Sequence, residues 1–187
     1  MSGANHVGKG ETLTTGDELA RMPQHGLCEL IDGRIMPMSP TSPEHGRIEA
    51  TVAGAIDRSM RTQNLGFVMT GKVGIFTARH PDRVRGADVV FISHARYERR
   101  TKSRGFLDVA PELVVEILSP ESAHIDTQQK VREYLAIGVQ LVLVVDPVAS
   151  TIAAHRETGV ERYERGECVP CQDVLPGFEL PVSAVLD

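Results

Sequence analysis

Apolar positions recur along this chain in two rhythms. Ile48, Val52, Ala55, Ile56 and Met60 follow the spacing of a helix that buries one face, so residues 44–62 read as an amphipathic helix with His45 in its first turn. Elsewhere the apolar positions bunch into short runs. Residues 27–31 and 34–38 flank Asp32-Gly33, a strong hairpin signal that puts Glu29 on the first strand. Residues 65–70 and 73–77 read as two more strands, with an Arg-, Pro- and Asp-rich loop over 78–86 and a short strand over 87–92. The run ELVVEIL in 112–118, broken only by Glu116, and QLVLVVD in 140–146 have the apolar look of buried strands. Residues 151–155 and 160–165 form a polar-tipped hairpin, and 175–187 close the chain with a short strand or a turn of helix.

Punctuation supplies the other helices. Thr-Thr-Gly-Asp-Glu caps a short helix over 15–22 that Pro23 ends. A longer helix over 126–137 stops at Gly138, the usual C-terminal residue. Strand 112–118, helix 126–137 and strand 140–146 then make a right-handed βαβ crossover. The predicted fold class is α/β, or mixed α+β: one central mixed sheet flanked by helices. Residues 15–187 are expected to form a single domain behind a flexible segment, 1–14.

Composition changes this picture little. The chain of 187 residues is 41% hydrophobic and 24% charged, ordinary for a globular protein. The first ten residues lack the apolar core of a signal peptide and no stretch approaches a bilayer-crossing length, so the expectation is a cytoplasmic protein with no membrane partner. A net charge of -5 argues against coating nucleic acid by bulk electrostatics. Locally, Arg79, Arg83 and Arg85 precede Asp88, and Arg96, Arg99, Arg100, Lys102 and Arg104 follow it, which reads as a solvated charged loop or one wall of a basic groove. Cys168 and Cys171 form a lone CxxC with no second ligand pair, so ordinary reduced cysteines are expected.

Chemistry enters where charge interrupts apolar runs. Glu116 breaks a strand buried on both faces, and an isolated carboxylate there costs several kcal/mol unless it is paired or binds a metal. Asp88 opens the run VVFI, as a turn residue starting a strand would, or as a ligand. Asp126, Lys130 and Tyr134 are spaced four apart on one helix face, so Lys130 either pairs with Asp126 at the surface or faces the sheet. Two carboxylates and a lysine suit Mg2+ or Mn2+ and phosphodiester hydrolysis, because hard oxygen ligands hold such ions and an ammonium steadies a hydroxide or phosphate oxygen.

Several motifs together, ELIDGRIMPMSPTSPEHGRI (29–48), ADVVF, PELVVEILSPES followed by Asp126, Lys130 and Tyr134, and LVLVVDP, resemble the Uma-type putative restriction endonuclease family of the PD-(D/E)XK nuclease superfamily. The likeness spans residues 15–187 and implies a restriction-endonuclease-like sheet. It implies a Mg2+ or Mn2+ site held by Asp88 and Glu116, with the main-chain carbonyl of Ile117 as third ligand and Glu29 completing the set. Leu118 stands where the superfamily lysine is expected, so Lys130 on the next helix takes that part. Ala87 replaces the motif proline, a position without chemical duty. His45 matches the family histidine, as a phosphate contact or a helix cap. The implied substrate is DNA, double-stranded, cut by a homodimer whose two-fold axis matches the two strands. Two rival readings remain: a nuclease fold without turnover that binds nucleic acid or protein, and a zinc or redox protein using Cys168 and Cys171.

Overall fold

A computed structural model describes residues 13–23, 26–101, 105–119 and 124–187. Thr15 caps α1 (Gly16–Leu19) in a reciprocal capping box with Glu18. The hairpin of β1 (Cys28–Ile31) and β2 (Arg34–Pro37) turns on Asp32 and Gly33, both at positive φ, as a two-residue loop requires. Of the expected flexible segment, residues 1–12 lie outside the described residues, and the Thr14 N–H donates to the Gly33 carbonyl at 2.8 Å.

Helix α2 (Pro43–Gln63) starts on Ser42, whose hydroxyl accepts the His45 N–H, and ends on Asn64 in the left-handed region. His45 therefore does not cap its helix; Ser42 does. The two expected strands over 65–77 are one, β3 (Gly66–Ala78), whose pairing with β4 (Arg83–Ser93) shifts register between Thr70 and Val73. The loop expected over 78–86 ends early, since β4 begins at Arg83. A short α3 (His94–Tyr97) follows, then β5 (Leu113–Ile117), α4 (His124–Ala136) and β6 (Leu141–Asp146), with β5 and β6 parallel as the crossover predicts. The hairpin β7 (Thr151–Arg156) and β8 (Gly159–Tyr163) extends the sheet. A small second sheet pairs β9 (Cys168–Pro170), which the sequence pattern did not suggest, with β10 (Glu179–Pro181), ahead of α5 (Val182–Leu186).

The main sheet has eight strands and is mixed. On one face Ile48, Val52, Ile56 and Met60 of α2 pack on Val89, Phe91, Leu113, Val115 and Leu143; on the other, Val131 and Tyr134 of α4 pack on Val90, Val114, Val142 and Val144. Cover on both faces is why β5 is apolar but for Glu116 and β6 is apolar up to its last residue, Asp146. No helix among the described residues is long and apolar enough to cross a membrane.

One irregularity positions everything polar. Val84 faces Phe76 of β3 on one side and Leu30 of β1 on the other, while Val89 to Phe91 face β3 on one side and β5 on the other. Strands β1 and β5 therefore share one edge of β4, at opposite ends. Between them residues 85–88 have no strand neighbour on that edge, and side chains take its place.

Candidate functional site

The gap beside β4 is filled by buried charge. The Gly86 N–H donates to Glu29 Oε1 at 3.0 Å, and the Gly86 carbonyl accepts from Lys130 Nζ at 3.2 Å, so β1 and α4 satisfy the backbone that no strand reaches. At the other end the ladder stops at Val89 opposite Val115, and the next pair would be Asp88 and Glu116. There Asp88 Oδ2 accepts the Ile117 N–H at 2.8 Å, holding the two strands where their pairing ends. The residues in the gap are buried: Asp88 0%, Glu116 5%, Glu29 6% and Lys130 7% exposed.

Two groups of contacts share this space. In the first, Lys130 Nζ lies 2.8 Å from Glu29 Oε1 and 3.5 Å from Glu116 Oε2, and the Tyr134 hydroxyl donates to Glu116 Oε1 at 2.8 Å. Glu29 Oε2 accepts from Arg85 at 2.8 Å, and Arg85 in turn reaches Asp126 at 3.1 Å and Glu133 at 2.9 Å. Arg83 ties Glu133 to Asp32 at 2.7 and 2.6 Å. Arg83 and Arg85 are thus strand residues inside an ion-pair network rather than parts of a solvated loop, and Asp126 pairs with Arg85 rather than with Lys130. Further along, Arg96 donates to the carbonyls of Ala110, Pro111 and Gly138, and Arg79 and Arg100 stack on Phe76 and Tyr97. Lys102 and Arg104 lie outside the described residues.

The second group surrounds Asp88. His45 Nε2 lies 3.3 Å from Asp88 Oδ2, and the Lys72 ammonium sits on Asp88 Oδ1. His45 Nδ1 is buried without a hydrogen-bond partner among the described residues, 3.8 Å from Glu49 Oε2. Ligand atoms of His45, Glu49 and Asp88 all lie within 4.8 Å of one another, the spacing of a metal-binding set.

These surroundings set the titration of each acid. Burial is the largest influence on Glu116; Lys130 opposes it and Asp88 reinforces it, and the carboxyl is pushed up to about 7. Burial also acts on Asp88, but the His45 hydrogen bond and the Lys72 charge outweigh it and hold the carboxyl below its usual range. Glu29 is likewise held low, against burial, by Lys130, the Gly86 N–H and Arg85. Burial raises the Tyr134 hydroxyl, with Glu116 adding to it. Lys130 is raised by Glu116 and Glu29 despite burial, so its ammonium form is favoured.

Residues 17–183 match the Uma2 family, described as a putative restriction endonuclease. The chain belongs to that family. A crystal structure of a putative nuclease belonging to DUF820 from Anabaena variabilis is similar in fold, with a TM-score of 0.78 at 20% identity over 92% of this chain and 97% of that one. No curated protein matches. The restriction-endonuclease-like mixed sheet expected from the motifs is the architecture found.

Within this Uma2 chain, the sequence-selected Asp88, Glu116, Lys130, Glu29 and His45 all line the gap, and Ile117 is bound to Asp88 through its N–H. Glu116 and Glu29 share one ammonium, whereas the metal-spaced set joins Asp88 to His45 and Glu49 instead. Lys72, Glu49, Arg85 and Glu133 were not singled out as site residues. Glu49 was visible in hindsight one helical turn after His45; Lys72 had no signal beyond the Gly71-Lys72 break between two strand-like runs. Of the lone CxxC, Cys171 is buried, its thiol pushed up to about 12 by burial, while Cys168 is exposed, and among the described residues neither belongs to a metal-spaced cluster.

Proposed function

We propose that this chain is a divalent-metal-dependent endonuclease that hydrolyses DNA phosphodiester bonds at the β4 gap, residues 15–187 working as one cytoplasmic domain. The observation that supports it best is the pair of carboxylates, Asp88 and Glu116, brought opposite each other where two strands part. The donor types fit a Mg2+ or Mn2+ ion: Asp88 with Glu49 and the unpartnered His45 Nδ1 at metal-binding spacing and, where the strands part, the Glu116 carboxylate and the Ile117 carbonyl as the further ligands of this reading. When bound, such an ion supplies the Lewis acidity that phosphodiester hydrolysis needs.

The chain's own groups do the rest. Asp88 and Glu116 would hold the ion, and Ile117 and Tyr134 orient them by bonding their other oxygens. Lys130 offsets the charge of Glu116 and, with Arg85, keeps Glu29 ionised, so Glu29 acts here by holding Lys130. His45 orients Asp88 and stands at the start of α2, where the helix favours an anion such as phosphate. Double-stranded DNA is the proposed substrate and a symmetric homodimer the proposed assembly, one site per strand.

The test is plasmid nicking with Mg2+ or Mn2+. Wild type should convert supercoiled plasmid and Asp88→Ala should not; equal conversion by both removes the reading. A binding module without turnover is the second reading, favoured by ammonium groups that already neutralise the carboxylates. It predicts no Mn2+ heat in calorimetry that depends on Asp88 and Glu116.

A further inference from the structure

The two lysines of the gap are not equivalent. The Lys130 side chain is 9% exposed and directs its ammonium at three acceptors: Glu29, Glu116 and the Gly86 carbonyl. An ammonium has three donors, so Lys130 has nothing left to offer a substrate. Lys72 is 18% exposed and, among the described residues, has Asp88 as its one partner. Its remaining donors are available at the mouth of the gap.

Its position is also built rather than incidental. Residues Gly71 and Lys72 form the irregularity in β3 between Thr70 and Val73, at φ of 86° and 60°. A lysine rarely adopts the left-handed region, and such strain persists only where neighbours impose it. Here the Gly71 N–H donates to Glu49 Oε1 at 2.9 Å, and Gly86 offers no Cβ, which would stand 3.3 Å from Lys72 Cβ. A regular strand would set one residue opposite Asp88; here Gly71 and Lys72 both stand there, and the one extra residue swings this side chain onto Asp88.

On Asp88 itself, Oδ2 already faces His45 and the Ile117 N–H, which leaves Oδ1 as the oxygen for a cation. A divalent ion and the Lys72 ammonium compete for it. We infer that Lys72 occupies the cation position on Asp88 in the metal-free protein and, displaced when a divalent ion binds, becomes the cation that receives a phosphate oxygen of the nucleic acid. This rests on the nuclease reading for its substrate, though the competition for Asp88 does not.

The test uses the full chain in three forms: wild type, Lys72→Met and Lys72→Gly, the last suited to the φ at this position and so a guard against misfolding. Calorimetric titration with MnCl2 and no DNA should give about 10-fold tighter binding for both variants, because the competing ammonium is gone. Anisotropy of a short labelled duplex in Ca2+ should give about 10-fold weaker binding than wild type, and no difference when the metal is chelated. Lys72→Arg should recover most of the duplex affinity. Mn2+ affinity of Lys72→Gly at or below the wild-type value overturns the inference, as does wild-type duplex affinity in Ca2+. Mn2+ binding by wild type that survives Asp88→Asn instead overturns the nuclease reading's metal site, and the two failures are separable.

Discussion

The polar gap beside β4 has a closed half and an open half. Around Glu29, Glu116, Lys130 and Arg85 every charge meets a partner at 2.8 to 3.5 Å and little is exposed. Around Asp88, by contrast, a buried imidazole nitrogen has no partner and a part-exposed lysine has one. Buried ions that are fully paired make a scaffold, and removing one leaves the others uncompensated. Groups that are buried and unmatched are held ready for something else. The contrast assigns support to one side and ligand binding to the other, within a few residues of one strand.

The largest expected effect comes from opening the closed half. Lys130→Met strands Glu29 and Glu116 without their shared cation and should lower stability by about 3–5 kcal/mol, read as a fall in the urea midpoint. A loss below about 1 kcal/mol would mean that this half is no scaffold.

The next effect is a pH dependence. An unfolded glutamate loses its proton near 4.5, whereas folded Glu116 keeps it up to about 7. The metal-free wild type should therefore lose stability on this group's account as pH rises from 4.5 to 7, by about 3 kcal/mol in all. Glu116→Gln cannot titrate, so its stability relative to wild type should climb across that window and level off above it. Parallel denaturation curves for the two proteins at every pH would contradict the assignment. Asp88 and Glu29, held low, contribute in the opposite sense, losing stability only as pH falls below the usual carboxylate range.

Smaller again is the loss expected in the open half. His45→Ala should weaken Mn2+ binding about 10-fold and, because buried Asp88 loses the His45 hydrogen bond, lower stability by about 1–2 kcal/mol, less than Lys130→Met does. A large drop in stability with unchanged Mn2+ affinity would move His45 into the scaffold. The smallest effect lies outside both halves: Cys168→Ser at an exposed position should change stability by under about 0.5 kcal/mol, and metal analysis should detect no zinc in either protein.

Much of this arrangement was legible because it is local. The Asp32-Gly33 turn, the spacing of Ile48, Val52, Ile56 and Met60, and the βαβ order from Leu113 to Asp146 each depend on residues close in sequence. So does the placing of Glu116 within an apolar run. What escaped was non-local. The start of β4 was hidden because Arg83 and Arg85 read as solvated charge, and their pairing depends on Glu29 and Asp32 of the β1–β2 hairpin and Asp126 and Glu133 of α4. The β3 irregularity was read as a boundary between two strands because Gly71 carries a turn signal, and nothing nearby reveals that β4 runs unbroken beside it. Lys72 was lost with it. Strands β9 and β10 are three residues each, too short for any alternation to register.

Two backbone amides follow from the gap as reporters. In the regular ladders a peptide N–H answers to a carbonyl, but in the gap Gly86 and Ile117 answer to the carboxylates of Glu29 and Asp88. Their proton resonances should move with the charge, ligation and rotamer of those side chains, while their neighbours in the ladder stay still. A nitrogen-edited spectrum of the protein would then follow each half of the gap separately, one crosspeak for the closed side and one for the open side, with no label attached.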